Sequence, residues 1–369
     1  MNIRFTAALG LAAALSLTAC AANEITTPET PKSNGSTSGS GNTQAPALNG
    51  TLSGKGASSA KVAQETWIAN FQTANNGVTI NYSPDGSGVG REAFQKGGAD
   101  FAGSDRAFKL DENVAGSFAG CADTSAAIDV PIYVSPIAVI FNVEGVTDLN
   151  LTPDLVAKIF RADITNWNDP AIAAVNPGVT FPDLAITAVH RSDPSGTTGN
   201  FTDYLSVAAS GVWTDPSAED WPFTTGEAAK GTSGVVSAVT GGVGTIGYAD
   251  ASQAGKASIA KIGQEGAFEA PTHDAANAAL EASPLEEGRA DNDIAIKLDR
   301  KASGYPLVLV SYGIACAEYK DAAKGELVKS YLTYVTSEEG QAAAAESAGS
   351  APIGAALRDK IQAAIATIK

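Results

Sequence analysis

Residues 185–205 read "AITAVHRSDPSGTTGNFTDYL" and combine three local patterns. A short β-branched run leads into polar residues, and a helical pattern of apolar residues follows them. Ser195 and Gly196 stand where the first turn of that helix leaves its backbone N–H groups without helical partners. Because a helix N-terminus carries partial positive charge, exposed amides there bind anions. The segment predicts a strand, a turn and a helix, and the turn either caps the helix or holds an anion.

The same order of strand, Gly/Ser turn and helix occurs twice upstream. "TLSGKGASSAKVAQETWIANF" is residues 51–71, and "VTINYSPDGSGVGREAFQKG" is residues 78–97. Strand-like runs that alternate with helical periodicity are typical of an α/β protein. Plain N-capping is the simpler interpretation of any one turn, whereas three such turns in one chain favour an anion site.

The N-terminal segment "MNIRFTAALGLAAALSLTAC" predicts export from the cytoplasm. Arg4 precedes an apolar run at 5–17, which is too short to span a bilayer. The end of this run resembles a bacterial lipobox, in which the cysteine carries the lipid. We therefore expect a signal peptide at 1–19 and a lipidated Cys20, and an ordinary signal peptide cut near Ala19 is the alternative.

Residues 20–47 are rich in Ser, Thr, Gly, Asn and Pro and nearly free of large apolar side chains, which predicts a flexible tether. One basic residue precedes Cys20, which leaves 23 basic side chains against 40 acidic ones in the exported chain, a balance of −17. So acidic a surface argues against nucleic acid or anionic lipid as a partner. We expect a monomeric globule that its lipid holds at the outer face of the bacterial cytoplasmic membrane.

Motifs for other functions are incomplete. Gly242–Gly247 matches G-x-G-x-x-G, but no convincing helix or well-placed acidic residue follows it, so we interpret it as the entry to a strand. The glycines beside Ser87 stand at the wrong offset for a nucleophile elbow. His190 is a poor general base, because the neighbouring Arg191 lowers its pKa and competes for an orienting carboxylate. These observations give little support to an enzyme.

Two cysteines remain after the lipobox, Cys121 and Cys316. An exported location favours a disulfide between them, and two buried free thiols are the alternative. Their spacing fits no metal motif, and the two histidines, His190 and His273, do not complete one. We therefore expect no metal site.

Six motifs follow one another along the chain and carry a family resemblance. They are "LSGKGAS", "NYSPDGSGVG", "DFAGSD", "KIFRADITNWNDPAI", "VHRSDPSGT" and "GTIGYAD". Over nearly all of residues 48–368, the chain resembles the phosphate-binding lipoproteins of bacterial phosphate-specific ABC transporters. The run Arg-x-Asp-x-Ser-Gly-Thr is the most specific of these motifs.

The resemblance implies an α/β, two-lobed periplasmic-binding-protein-like fold of type II. Lobe I would be residues 49–130 together with 311–369, and lobe II would be residues 131–310. The apolar runs "VPIYVSPIAVIFN" (130–142) and "YPLVLVSYGIAC" (305–316) would be the strands that cross between the lobes.

The resemblance also implies which residues bind phosphate. They are Ser58, Ser59, Ser87, Asp105, Arg191, Ser195, Gly196 and Thr197. Arg191 would make a forked contact with phosphate oxygens, and Asp193 would hold its guanidinium in position. An ionised carboxylate only accepts hydrogen bonds, so Asp105 would pair with a phosphate proton and disfavour sulfate, which has none.

The implied function is high-affinity binding of inorganic phosphate outside the cytoplasmic membrane and its delivery to the permease subunits of an ABC transporter. We expect no cofactor and no catalysis. Three alternatives stay open: a receptor for another tetrahedral oxyanion such as arsenate, a secreted phosphate-ester hydrolase with Ser87 or Ser195 as nucleophile, and a surface adhesin with a vestigial pocket.

Overall fold

The computed structural model describes residues 47–369. The predicted signal peptide, Cys20 and all but the end of the predicted tether lie outside the described residues.

The strands are β1 (Asn49–Gly56), β2 (Gly77–Ser83), β3 (Phe101–Ser104), β4 (Ala127–Asn142), β5 (Asn150–Leu151), β6 (Thr187–Arg191), β7 (Glu227–Ala229), β8 (Thr245–Asp250), β9 (Ser258–Ile259), β10 (Lys261–Gln264), β11 (Ala267–Glu269) and β12 (Val308–Cys316). The helices are α1 (Lys61–Ala74), α2 (Ser87–Gln95), α3 (Pro153–Phe160), α4 (Pro170–Ala174), α5 (Gly196–Ala208), α6 (Gly231–Gly241), α7 (His273–Glu281), α8 (Ala322–Val335), α9 (Glu338–Ala348) and α10 (Ala355–Ala366). A short 3₁₀ turn, Ala251–Gln253, follows β8.

One mixed sheet carries most of the strands. Its order is β2-β1-β3-β12-β4-β8-β6-β7, and β9 pairs with β4. The strands β1, β2 and β3 are parallel to one another, as are β6, β7 and β8, whereas β12 and β4 are antiparallel to their neighbours. The strands β11, β10 and β5 form a small second sheet. The predicted α/β fold class is therefore confirmed.

The strand β4 is 16 residues long and changes its partner part-way along. Residues 127–136 pair with β12, and residues 137–142 pair with β8. Both β4 and β12 are buried along almost their whole length, as their continuous apolar runs predict. The predicted lobe boundaries, 130/131 and 310/311, fall inside these two strands, and the division into lobes stays a prediction.

The helix α1 shows how the helices attach to the core. Trp67 and Phe71 are buried, Val62 and Ile68 are half-buried, and the Trp67 Nε1–H donates to Gly340 O of α9 at 2.7 Å. The predicted apolar stripe of α1 thus faces the core with its two aromatic residues at the centre. Within residues 47–369, no helix combines the length and the apolarity that crossing a bilayer requires.

The two parallel groups of strands position four helix N-termini. The strands β1 and β2 lead into α1 and α2, and the strands β6 and β7 lead into α5 and α6. The turn after β1 is tight, because Gly56 has φ +145° and a Cβ there would lie 1.9 Å from Gly103 O. Parallel strands end at one edge of their group, so each group presents two helix starts at one edge.

Cys121 and Cys316 form a disulfide, with their Cα atoms 5.3 Å apart. Cys316 is the last residue of β12, and beside the bond Ala122 N–H donates to Glu318 O at 2.8 Å. The predicted pairing is confirmed in this structure, and the alternative of two free thiols is wrong.

Candidate functional site

The turn before α2 packs directly on the turn before α5. A Cβ on Gly86 would lie 2.7 Å from Asp193 Oδ2, and a Cβ on Gly196 would lie 2.6 Å from Ser87 Oγ. Contacts this short leave no space for a side chain at either glycine. Two of the three predicted turns, far apart in sequence, therefore meet.

The turn before α1 joins the same cluster through two buried hydroxyls. Ser59 Oγ donates to Asp105 Oδ1 at 2.6 Å, and Ser58 Oγ lies 3.0 Å from Thr232 Oγ1. Thr232 is in the first turn of α6. All three predicted turns thus converge, together with the start of a fourth helix.

Asp105 is a buried carboxylate that accepts hydrogen bonds on both oxygens. Besides Ser59, Thr197 Oγ1 donates to Oδ2 at 3.4 Å, and the Asp105 backbone N–H donates to Ser87 Oγ at 3.1 Å. Burial raises the pKa of Asp105, while the Ser59 hydroxyl and a nearby guanidinium offset part of this rise. The carboxylate therefore stands among hydroxyl donors, in a position to accept a hydrogen bond from a ligand O–H as well.

Arg191 is 3% exposed, and Asp193 holds its guanidinium. Arg191 Nε donates to Asp193 Oδ1 at 2.8 Å, a second bond joins Nη2 to Oδ2, and Gly231 N–H donates to Oδ1 at 2.9 Å. Burial acts to raise the pKa of Asp193, but the hydrogen bonds and the charge of Arg191 outweigh it, so the pKa is lowered. The pair therefore presents an oriented guanidinium to the cluster.

Ser195 caps α5. Its Oγ accepts a hydrogen bond from Thr198 N–H at 3.2 Å. The amides of Gly196 and Thr197 belong to the first turn, where no carbonyl of the helix can reach them. The two interpretations of this turn are compatible, because the hydroxyl caps the helix while these amides remain for an anion.

A side-chain cap is missing at three of the four helix starts of the site and, among the other described helices, at α10. Of the described helices, α3, α4, α7, α8 and α9 begin with a Thr, Asp or Ser side chain that accepts a first-turn N–H. The helices α1, α2 and α6 begin at the cluster and have no such side-chain cap. This pattern favours an anion over plain capping at α1 and α2, whereas the Gly231 and Thr232 amides of α6 already donate to Asp193 and Ser58.

The start of α6 is a part of the site that the three predicted turns do not include. Thr232 N–H lies 3.3 Å from Ser58 Oγ, and Gly231 N–H reaches Asp193. The signal is present in "KGTSGVV", residues 230–236, which repeats the Gly/Ser turn before a helix. It is hard to recognise because the preceding strand, β7, has 3 residues and no apolar alternation.

The competing motifs have other roles. His190 stacks on Trp221 with ring centroids 4.9 Å apart, its Nδ1 lies 2.9 Å from Arg191 O, and burial lowers its pKa. Gly242–Gly247 leads from α6 into β8, as predicted. In the part of the chain that the structure describes, no group of three or more His, Cys, Asp or Glu side chains is placed to hold a metal.

A cavity of about 810 Å³ borders the cluster, with Asp105 and Gly196 in its wall. Its other walls include Arg106, Arg289 and Arg300, and each of these guanidinium groups pairs with carboxylates. These three guanidinium groups are paired within the protein, and Lys109 and Lys297 also line the cavity. Arg191 is paired too, but it stands beside helix starts whose backbone amides can donate to a small anion.

Comparisons with known proteins identify the family of the chain. Residues 36–339 match a family model described as the PBP superfamily domain. The chain is 34% identical over 341 residues to the phosphate-binding protein PstS 3 of Mycobacterium tuberculosis, which covers 89% of this chain and 90% of that relative.

Two solved structures share the fold. The periplasmic high-affinity phosphate-binding protein PfluDING, solved with bound phosphate, superposes with a TM-score of 0.70 at 21% identity, covering 85% of this chain and 93% of the other. A protein from Clostridium perfringens, assigned as the substrate-binding protein of a phosphate ABC transporter and solved with phosphate, has a TM-score of 0.59 at 21% identity, covering 83% and 100%.

Proposed function

Because this chain belongs to the PstS phosphate-binding proteins of the PBP superfamily, we propose that it binds inorganic phosphate and delivers it to an ABC-type permease. The observation that carries the proposal is the convergence of four helix N-termini on Arg191 and Asp105. The proposed phosphate ligands are Ser58, Ser59, Ser87, Asp105, Arg191, Ser195, Gly196 and Thr197.

The chemistry of the cluster suits a small anion that still carries a proton. Backbone amides at the helix starts and the forked guanidinium of Arg191 can donate to phosphate oxygens. Asp105 can accept the phosphate O–H, since an ionised carboxylate has no proton of its own to give. Local donors hold the anion, so the negative balance of the whole surface does not prevent binding.

We propose that the protein acts outside the cytoplasmic membrane as a monomer anchored through lipid on Cys20. Two lobes, 49–130 with 311–369 and 131–310, would close on the phosphate about β4 and β12. The hydrogen bond between Asp105 and Thr197 would then join one lobe to the other, which supports closure at this site.

The proposed activity is binding without turnover. The Ser195 hydroxyl is engaged as a helix cap, and the stacked His190 ring hydrogen-bonds at the Arg191 carbonyl. We expect stoichiometric phosphate binding and no hydrolysis of a chromogenic phosphate ester. Hydrolysis that Ser87→Ala or Ser195→Ala abolishes would establish the hydrolase instead.

Asp105→Asn tests the proposed site. We expect the preference for phosphate over sulfate to fall by a factor of roughly 100 or more, because an amide can donate to a bare sulfate oxygen and a carboxylate cannot. Calorimetric titration of both anions into ligand-stripped protein measures the ratio, with the exposed Asp123→Asn as control.

An unchanged ratio in Asp105→Asn would contradict the role of Asp105. Failure of the unmodified protein to bind phosphate would contradict the proposed function as a whole. Arsenate in the same titration separates a general receptor for protonated tetrahedral oxyanions from one selective for phosphate.

A further inference from the structure

Gln253 connects the 3₁₀ turn after β8 to the loop before α1. Its side-chain amide donates both hydrogens: Nε2 lies 2.8 Å from Ser58 O and 2.7 Å from Ser59 O. These two carbonyls belong to consecutive peptide units of the turn whose hydroxyls reach Asp105 and Thr232. The Gln253 side chain thus hydrogen-bonds to the backbone of the loop that carries Ser58 and Ser59, two of the proposed phosphate ligands.

The direction of these bonds matters for the amides of the loop. In a trans peptide the C=O and the N–H of one unit point in opposite directions. Since Gln253 draws Ser58 O and Ser59 O toward itself, the N–H groups of Ser59 and Ala60 are turned away from it. These are the amides at the start of α1, a helix that has no capping side chain.

The turn that carries Gln253 is itself fixed. Asp250 Oδ1 accepts hydrogen bonds from Ser252 N–H and from Tyr133 OH of β4, both at 3.0 Å. The Gln253 amide is therefore held by β8 and β4, and it reaches a loop 194 residues away in sequence.

From this geometry we propose that Gln253 is a positioning residue for phosphate binding: it aims the Ser59 and Ala60 amides at the anion without touching it. The inference rests on the proposed function, since it assigns a residue to the same site. It also connects the second predicted lobe to the first through a neutral contact, so its contribution is insensitive to salt.

Two variants distinguish orientation of the Ser59 and Ala60 amides by Gln253 from simple packing of its side chain. Gln253→Met keeps the approximate length and loses both donors, and we expect the phosphate Kd to rise about tenfold, the effect of two neutral hydrogen bonds. Gln253→Glu places a carboxylate against two carbonyl oxygens, so we expect a larger loss at pH 8. Gln264→Glu, at an exposed position of β10, is the control for added charge.

The pH dependence of the phosphate Kd distinguishes the two roles, because a role of Gln253 in packing alone would give the same Kd ratio at every pH. The carboxyl group that Gln253→Glu introduces can donate one hydrogen bond when it is protonated, so the ratio of this variant's Kd to the unmodified Kd should fall from pH 8 to pH 5. The ratio for Gln253→Met should stay constant. Phosphate and Asp250 titrate between these pH values in all of these proteins, and taking the ratio to the unmodified protein at each pH removes their shared contribution.

Calorimetry at each pH, with circular dichroism to confirm folding, supplies these values. Affinities of both variants equal to that of the unmodified protein, or equal losses in both at every pH, would overturn the role of Gln253 while leaving phosphate binding intact. Absence of binding in the unmodified protein would instead remove the proposed function, so the two failures are distinguishable.

Discussion

Arg191 is a buried charge that pairs with Asp193 and, in the proposed complex, with phosphate as well. In the structure Asp193 supplies the counter-charge through two hydrogen bonds. Asp193→Asn removes that charge at nearly constant volume, and we expect the free energy of unfolding without phosphate to fall by roughly 3 kcal/mol. Phosphate would then become the counter-charge, so the loss should be smaller in saturating phosphate. Thermal or denaturant unfolding with and without phosphate measures both values.

Asp203→Asn is the control for another carboxylate paired with a buried arginine: Asp203, whose side chain is 41% exposed, accepts a hydrogen bond from Arg300 at 2.7 Å. Its cost should be the same with and without phosphate beyond the general stabilisation by ligand. Equal losses for Asp193→Asn in both conditions would mean that phosphate does not take over as partner of Arg191.

Single residues of the site differ in how far the sequence predicts them. The helix start at Ser195 and Gly196 follows from local pattern, since a turn between a strand and an apolar periodicity is visible in a short window, whereas the role of Thr197 is implied by the family resemblance. Thr232 has the same kind of turn but lacks a recognisable strand before it. Gln253 has no local signal, because its role arises from a contact across 194 residues.

At the scale of elements, Asp250 joins the end of β8 to β4 through Tyr133. Burial raises the pKa of Asp250 to about 7, so the folded protein holds a proton there that the unfolded chain releases near pH 4. Between those values stability falls as the pH rises, by up to about 1.4 kcal/mol per pH unit. Asp250→Asn should remove this slope, and urea unfolding of both proteins from pH 4.5 to 8 measures it.

The difference between the two stability curves isolates Asp250 from the other carboxylates. It should favour the variant increasingly as the pH rises and level off above about pH 7. Asp123→Asn, at an exposed position, should follow the unmodified profile. Parallel curves for Asp250→Asn and the unmodified protein would show that this carboxylate does not hold a proton in the folded state.

The long strands and helices could be predicted from the sequence, and the short strands could not. The apolar runs of β4 and β12 and the stripe of α1 carry enough residues to show their period. The strands β5, β10 and β11 have 2, 4 and 3 residues, which is too few for any alternation to stand out. The existence of the second sheet therefore depends on tertiary pairing alone.

At the scale of the whole molecule, the disulfide constrains a loop of 195 residues. Replacing Cys121 and Cys316 by Ser should lower the free energy of unfolding by about 2–5 kcal/mol. Neither cysteine contacts the cluster, so phosphate affinity should be unchanged. Denaturant unfolding and calorimetry of the double variant, beside the unmodified protein with and without reductant, measure both. Equal unfolding midpoints would show that the bond does not stabilise the fold.

The strand order of the main sheet also determines which strands can pair first while the chain is being synthesised. Strands β3 and β4 both lie beside β12, which begins at Val308, near the other end of the chain. A polypeptide that leaves the ribosome with its N-terminus first exposes the apolar edges of β3 and β4 until β12 has emerged. The half of the site that contains Ser59 and Asp105 is therefore completed only after β12 has emerged.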